Sequence, residues 1–328
     1  MKVDAKTNLK LSNNVEMPIH GLGTWLSKPG EVKAAVEAAI DAGYRLVDTG
    51  LAYGNEKEIG DAIQAKIKEG RITRSDIFVT TKNWVTYYER EEVTKSLKIS
   101  LENLQLDYVD LYLLHAPCPM KRATEGHGFE VVDGKPIPLE IDSISTWRGM
   151  EDVYNAGLAK AIGLSNFNQA QIQHILDQAV VKPHNLQVEM NAYWPQEALR
   201  KFCTEKGISF TSFATLGSPG RLNFQPPGRK IDWPNPGVLM EDPTVLEIAK
   251  TKSCKSSQIL LRWAMQNGVA VIPKSVNAER IKENIQVFDF ELTDEEMQKL
   301  NNLEIRVRLF PIDWMKGHPQ DPFKDERK

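Results

Sequence analysis

Eight short apolar runs recur along the chain, each followed by a segment in which apolar residues return at helical spacing. The runs cover residues 20–23, 45–48, 77–81, 109–115, 160–164, 185–189, 208–213 and 269–272. They are brief and rich in Val, Ile, Leu and aromatic residues, which suits strands buried on both faces. The first helical segment, residues 32–42, shows the pattern clearly: Val32, Ala35, Val36, Ala39 and Ile40 share one face, and Gly43 stands where a helix stop belongs. Similar patterns fill residues 56–68, 89–104, 144–155, 169–179, 196–206, 256–266 and 278–287. Eight strand–helix alternations without a long polar linker predict an α/β protein, a single (β/α)8 TIM barrel occupying residues 1–328.

A barrel of this kind needs about 250 residues, so part of the chain is left over for loops. The longest gaps follow the fourth and seventh runs, at residues 116–142 and 214–241, and a tail at residues 303–328 makes a third appendage. Loops after barrel strands lie on the C-terminal face, where barrel enzymes keep their sites, so all three are expected walls of a substrate pocket. Before the first run, residues 9–17 alternate around Ser12-Asn13-Asn14 and read as a β-hairpin that plugs the opposite end. The competing fold is an open doubly wound sheet, which would bring a G-x-G-x-x-G dinucleotide fingerprint. Gly21-Leu22-Gly23 is followed by no third glycine at the required place, which favours the barrel.

Charge and cysteine usage narrow the function classes. Lys plus Arg is 41 against 44 Asp plus Glu, a formal net charge of −3, without the basic excess a nucleic-acid binder needs. No stretch approaches the roughly 18 consecutive apolar residues of a membrane span, and the first ten residues are polar. The three cysteines, Cys118, Cys203 and Cys254, are widely spaced and no N-x-S/T sequence occurs, so a cytoplasmic location is expected.

Polar side chains at the C-terminal ends of barrel strands converge, and four stand out there. Asp48 closes the second run, Tyr53 follows it in a turn, Lys82 follows the third run and His115 closes the fourth. Their chemistry is complementary. A tyrosine ordinarily gives up its proton near pH 10, and a neighbouring ammonium, Lys82, would lower that value. An ammonium away from water needs a counter-ion, which Asp48 provides. His115 would orient the oxygen that takes the proton from Tyr53. The set suits reduction of a carbonyl, with Tyr53 as general acid.

At this point the sequence resembles the aldo-keto reductases, of the aldose and aldehyde reductase type, over residues 17–323. The blocks that carry the resemblance are Met17-Pro-Ile-His-Gly-Leu-Gly-Thr-Trp25, Asp48-Thr-Gly-Leu-Ala-Tyr53-Gly-Asn-Glu56, Thr81-Lys82-Asn-Trp84, Leu113-Leu-His115-Ala-Pro117, Gly163-Leu-Ser-Asn-Phe167, Gln187-Val-Glu189 and Ile272-Pro-Lys-Ser-Val276. The resemblance implies the catalytic set Asp48, Tyr53, Lys82 and His115, and NADPH/NADP+ bound across the barrel mouth without a Rossmann domain. It implies that Thr24, Trp25, Asp48, Ser165, Asn166 and Gln187 surround the nicotinamide, with Phe213 stacking on it where the family usually has tyrosine. Leu216 and Ser218 would cover the pyrophosphate, and Lys274, Ser275, Val276, Arg280, Glu283 and Asn284 would hold the adenosine end. The cations Lys274 and Arg280 also suit the extra phosphate of NADPH on chemical grounds.

The substrate is expected against Trp25, Tyr53, Trp84, His115, Ala116, Met120, Phe129, Leu222, Leu309 and Phe310. Ala116 stands where many members carry tryptophan, which implies room for a bulky apolar or steroid-like carbonyl compound. Gly220 replaces an aspartate that clasps the pyrophosphate loop in some relatives, implying faster cofactor exchange. A monomer is expected by similarity, with no obligate protein partner, and charge and hydropathy lead to no nucleic-acid or membrane partner being expected. Two other functions compete: a nucleotide-binding structural or regulatory protein with little turnover, which an intact catalytic set disfavours, and a metal-dependent hydrolase. The six histidines, His20, His115, His127, His174, His184 and His318, show no close ligand spacing, so no metal site is expected.

Overall fold

The computed structural model describes residues 2–225 and 230–327, so 226–229 of the 214–241 loop lie outside the described residues. A hairpin of β1 (Asn8–Lys10) and β2 (Glu16–Pro18) comes first. Eight parallel strands follow: β3 (Leu22–Gly23), β4 (Leu46–Asp48), β5 (Phe78–Asn83), β6 (Leu111–Leu114), β9 (Ile162–Ser165), β10 (Asn185–Glu189), β11 (Ser209–Phe213) and β12 (Val269–Val271). Each pairs with its neighbour in chain order. Backbone bonds from Gly21 N to Val271 O and from Val271 N to Ile19 O close the circle between first and last strands. The seam is tight at Gly23, where a Cβ would stand 2.6 Å from the Ile272 carbonyl oxygen. All eight predicted runs are therefore barrel strands, and parallel pairing buries both faces as their apolar composition requires.

The helices α1 (Val32–Asp41), α2 (Glu56–Lys68), α3 (Arg90–Leu104), α4 (Ser143–Asn155), α5 (Gln169–Gln178), α6 (Glu197–Glu205), α8 (Ser256–Gln266) and α9 (Ala278–Ile285) match the eight predicted segments within a few residues. Val32, Ala35, Val36, Ala39 and Ile40 of α1 are all buried, which is the face the periodicity picked out. Two further helices, α7 (Pro243–Lys252) and α10 (Asp294–Asn301), were not anticipated. Both carry start signals. The Asp242 side chain accepts from Thr244 N with Pro243 at the first helical position, and Thr293 and Glu296 form a capping box. The gap after the seventh strand is thus longer by a helix as well as by a loop.

The hairpin occupies the end of the barrel as expected. Leu11 and Met17 join Leu46, Phe78, Leu111, Leu113, Ala161, Ala270 and Ile272 in one buried cluster that fills the barrel interior, and Asn13 donates to the Lys160 carbonyl at 2.9 Å. At the opposite end, residues 116–142 form an ordered flap. It contains the short antiparallel pair β7 (Val131–Val132) and β8 (Lys135–Pro136), with further bridges from Met120 to Pro138 and from Arg122 to Phe129. None of the helices among the described residues is long and apolar enough to cross a membrane.

His20 lies buried at the entrance to β3, edge-on to Tyr44 at 4.9 Å and Phe288 at 6.3 Å. Burial pushes its imidazole down from 6.5 to about 4. The unfolded chain therefore binds a proton below pH 6.5 that the folded protein refuses until about pH 4. The gap is worth roughly 3 kcal/mol, present above pH 6.5 and lost as the pH falls toward 4. Replacing His20→Leu is expected to shrink the difference between urea unfolding free energies at pH 7 and pH 4.5; an unchanged difference would contradict this account.

Candidate active site

Barrel closure brings the ends of β4, β5, β6 and β10 to one place, and the four side chains singled out by position meet there. Asp48 and Lys82 are 3 and 1% exposed. The Lys82 ammonium donates to Asp48 Oδ1 at 2.6 Å and to the Thr49 carbonyl at 2.7 Å, and its Nζ lies 5.0 Å from the centre of the Tyr53 ring. The Tyr53 and His115 rings meet edge-on at 5.6 Å, and Trp84 packs edge-on against His115 at 4.9 Å. Gly50 sits among them: a methyl built there would touch His115, Lys82 and Tyr53, each at 3.5 Å.

The ionisation states follow from burial and from this pairing. Burial pushes the Asp48 carboxyl above its ordinary value, opposed by the Lys82 charge and by hydrogen bonds to both of its oxygens, from Lys82 and from Gln187 Nε2 at 2.7 Å; with a donor on each oxygen it accepts as a carboxylate. Burial works against the Lys82 ammonium, but Asp48 and the Tyr53 oxygen outweigh it and keep lysine charged. Tyr53 corrects an expectation. Lys82 does pull the phenol downward, yet burial is the larger effect and holds the group above its ordinary value of 10. A phenol that keeps its proton suits a donor. Burial, with the Lys82 charge behind it, also drives the His115 imidazole well below 6.5, so the ring is neutral at physiological pH. Its Nδ1 is buried without a hydrogen-bond partner in the protein, and a neutral imidazole can donate one N–H toward a bound oxygen.

The expected cofactor residues ring the same mouth. Thr24 Oγ1 donates to the Asp48 carbonyl at 2.9 Å, and Trp25 is half-buried beside it. Asn166 has a left-handed backbone (φ 61°) and donates through Nδ2 to the His115 carbonyl at 2.9 Å and to Ser165 Oγ at 3.2 Å. Phe213 ends β11, while Leu216 and Ser218 lie on the loop that follows. Farther out, Lys274 is exposed, donates to the Leu26 carbonyl at 3.2 Å, and is pushed below its ordinary value by partial burial and by the nearby Arg280 and Lys28 charges, against Glu31. Arg280 lies in the first turn of α9, whose N-cap is Asn277, so two cations and a helix N-terminus share one corner. Ser275 and Val276 lead into that turn. Glu283 pairs instead with Lys255, and Asn284 is buried.

The expected substrate residues divide. Trp84, Phe129 and Trp314 form an aromatic cluster, with Trp84 and Phe129 stacked at 5.4 Å and Trp314 within 5.6 Å of both. Phe310 is edge-on to Trp25, Phe213 and Trp233. Leu222 is half-buried, and Leu309 is packed against the position of Gly217. Ala116 and Met120 are 1 and 2% exposed and belong to the core, with the Tyr88 hydroxyl bonded to the Ala116 carbonyl. Extra room at Ala116 is therefore not supported: its methyl is sealed by packing and does not face an open wall.

Several residues of the site were not singled out from the sequence. Trp314 and Trp233 are separated in the chain from the aromatic rings they meet, so no local spacing marks them. Glu56 is buried and accepts from Thr81 Oγ1 at 2.6 Å, just before Lys82. Glu189 is two residues from Gln187 on one strand, a period that puts both on the same face, and this was the signal available for it. No group of three or more His, Cys, Asp or Glu side chains able to hold a metal occurs among the described residues.

Comparison with known proteins agrees with this geometry. The family model described as "Aldo/keto reductase family" matches residues 20–305. Aldo-keto reductase family 1 member A1 of Gallus gallus is 42% identical over 327 residues, covering 96% of this chain and 97% of the relative. Prostaglandin-E(2) 9-reductase of Oryctolagus cuniculus is 41% identical over 327 residues, with the same coverage of 96 and 97%. A solved structure of the aldose reductase from Schistosoma japonicum superposes with a TM-score of 0.89 at 40% identity, covering 98% of this chain and 99% of that one.

The buried pair makes a testable demand on stability. Asp48→Asn keeps the shape but strands the Lys82 charge, and should cost about 3–5 kcal/mol in urea unfolding. Adding Lys82→Met to that variant should recover most of the loss; no recovery would show that the charge is not what Asp48 holds.

Proposed function

The chain belongs to the aldo/keto reductase family, and from that premise we propose that it reduces aldehyde or ketone carbonyls to alcohols using NADPH. The observation that carries this reading is the set itself: a buried lysine with its carboxylate, and beside them a half-buried protonated phenol and a half-buried neutral imidazole, at one barrel mouth. When bound, the nicotinamide supplies the hydride that the carbonyl carbon takes up. Tyr53 holds the proton destined for the carbonyl oxygen, and its high value keeps that proton in place until negative charge develops there. Lys82 stabilises the phenolate left behind, Asp48 keeps Lys82 charged, and neutral His115 donates to the same oxygen to orient it.

The residues fit the cofactor. Ser165 and Asn166 are buried polar groups at the strand end and would hold the carboxamide together with Gln187. Gln187 has its Nε2 engaged with Asp48, so Oε1 is the atom it can offer. Thr24 and Trp25 would border the ring and Phe213 would stack on it; Leu216 and Ser218 would cover the pyrophosphate. Ser275, Val276, Glu283 and Asn284 would frame the adenosine, with Lys274 and Arg280 pairing with the extra phosphate that distinguishes NADPH from NADH. The aromatic surfaces of Trp25, Trp84, Phe129, Phe310 and Trp314, with Leu222 and Leu309 behind them, favour carbonyl compounds with an apolar body. Relatives named as an aldose reductase and a prostaglandin reductase support carbonyl reduction without fixing the substrate.

NADPH oxidation by the purified protein over small, aromatic and steroid-like carbonyls is expected to exceed NADH oxidation and to fall by roughly 100-fold or more in Tyr53→Phe, with NADPH binding retained. Tight NADPH binding without turnover of any carbonyl would instead favour the nucleotide-binding structural or regulatory role. A second expectation concerns exchange. Gly220 has open space around it, and an aspartate there could reach across to the cations at the mouth. Gly220→Asp should slow NADP+ release in stopped-flow fluorescence, and an unchanged release rate would remove the idea that this glycine speeds exchange.

A further inference from the structure

Among the buried carboxylates that the mechanism above leaves unused, Glu189 is the one whose partners lie on the C-terminal tail. Glu189 ends β10 at 0% exposure, and its register partner on β11 is Phe213. Its two oxygens take successive backbone amides of the C-terminal tail: Leu309 N donates to Oε1 at 2.6 Å and Phe310 N to Oε2 at 2.9 Å. Asn191 Nδ2 also donates to Oε1, at 3.2 Å. The Arg308 guanidinium stands 3.8 Å from Oε2 while it grips Glu326 with two hydrogen bonds and lies over Phe323 at 3.8 Å. Arg221 is buried within electrostatic reach of Glu189 and donates to the carbonyls of Gly217, Ser218 and Pro234, tying the start of the 214–241 loop to a point beyond its undescribed residues.

Each partner follows from charge and geometry. A carboxylate buried this deeply is costly unless both oxygens are satisfied by donors, and tail amides supply them. Two adjacent amides on one carboxylate fix the backbone at residues 309 and 310 in position and orientation. The consequence appears at Phe310. Its ring is held 5.4 Å from Phe213 at 87°, 5.6 Å from Trp25 and 5.4 Å from Trp233.

We propose that Glu189 is a positioning residue: by clamping the tail backbone at Leu309 and Phe310, it sets the Phe310 ring against Phe213 and so determines which apolar carbonyl compounds fit the mouth. It touches no reacting atom. The inference rests on the carbonyl-reductase reading for its kinetic consequence, but the clamp itself is a statement about structure that can be measured separately. In the wild-type chain, hydrogen exchange over residues 306–312 should be slow relative to the exposed amides of the tail. Exchange as fast as that of exposed amides would overturn the clamp whether or not the protein is a reductase.

Glu189→Gln replaces one acceptor oxygen by a donor that faces an amide N–H. It should speed exchange over residues 306–312 roughly tenfold or more while leaving amides of α1 and α3 unchanged. For kinetics, an aromatic aldehyde and propanal would be compared as substrates. The expected result is a KM for the aromatic aldehyde raised roughly tenfold, with kcat for both and KM for propanal within about threefold. On a Phe310→Ala background the same substitution should add little to KM, because the ring through which it acts is gone. Equal rises in KM for both aldehydes, a fall confined to kcat, or an undiminished effect in Phe310→Ala would each overturn the positioning role. Should Glu189→Gln fail to fold, Glu189→Asp, which keeps the charge and withdraws it by one methylene, should give the same selective pattern in smaller degree. Absence of turnover in the wild type, with slow exchange at residues 306–312, would sink the reductase reading and leave the clamp standing.

Discussion

The ammonium of Lys82 is the group around which the rest of the site is arranged. A lysine removed from water tends to shed its proton, so its charge has to be held by its surroundings. Asp48 does most of that, and it can do so because β4 and β5 are neighbours whose ends are brought level by the parallel register of Asp48 with Thr80. The carboxylate in turn is completed by Gln187, which comes from β10, well around the barrel. An open sheet would leave those strands far apart. Closure between β3 and β12 is what lets one charge be satisfied from both sides of the mouth, and the tight approach at Gly23 is part of that closure.

The same charge sets the neighbouring ionisations. It reinforces burial in keeping His115 neutral and opposes burial at Tyr53, where burial prevails. The simple expectation that a nearby lysine yields an acidic tyrosine counts only one neighbour: the low-dielectric surroundings of the phenol and the Asp48 charge act the other way. The outcome is a phenol that keeps its proton beside a fixed positive charge, the arrangement that the proposed role as proton donor requires. Around this polar centre stand aromatic rings from three separate appendages: Phe129 from the flap, Trp233 from the 214–241 loop, and Phe310 and Trp314 from the tail. The tail and the 214–241 loop are each tied down by ionic groups, Glu189 with Arg308 for the former and Arg221 for the latter.

Much of this was legible in the residues themselves. Strand runs such as 109–115 and helix faces such as that of α1 follow from local periodicity, which tertiary packing then respects. The polar residues that close those runs could be paired by chemistry alone. The misses have local physical causes. The helix from Pro243 was not singled out between the loop at 214–241 and the segment at 256–266, although Asp242 followed by Pro243 is a start signal, since proline at the first turn of a helix costs no hydrogen bond. The region 116–142 looked irregular because its strands are two residues long and exposed at Val131 and Val132, too short to show alternation.

Ala116 marks where sequence reasoning stops. The small side chain invites the inference of space, but whether a missing ring leaves a void depends on what packs into the neighbourhood, and here the core has closed around it. Trp314, two hundred residues away, supplies the aromatic surface on Trp84 and Phe129 instead. The sequence by itself determined the eightfold alternation, the burial pattern of each element and the identity of the polar groups at the strand ends, because those depend on spacing along the chain. Only the tertiary structure decided that Gln187 completes Asp48, that Glu189 clamps the tail and that Phe310 stands against Phe213. Those contacts join segments remote in the chain, and their distances exist only once the barrel has closed.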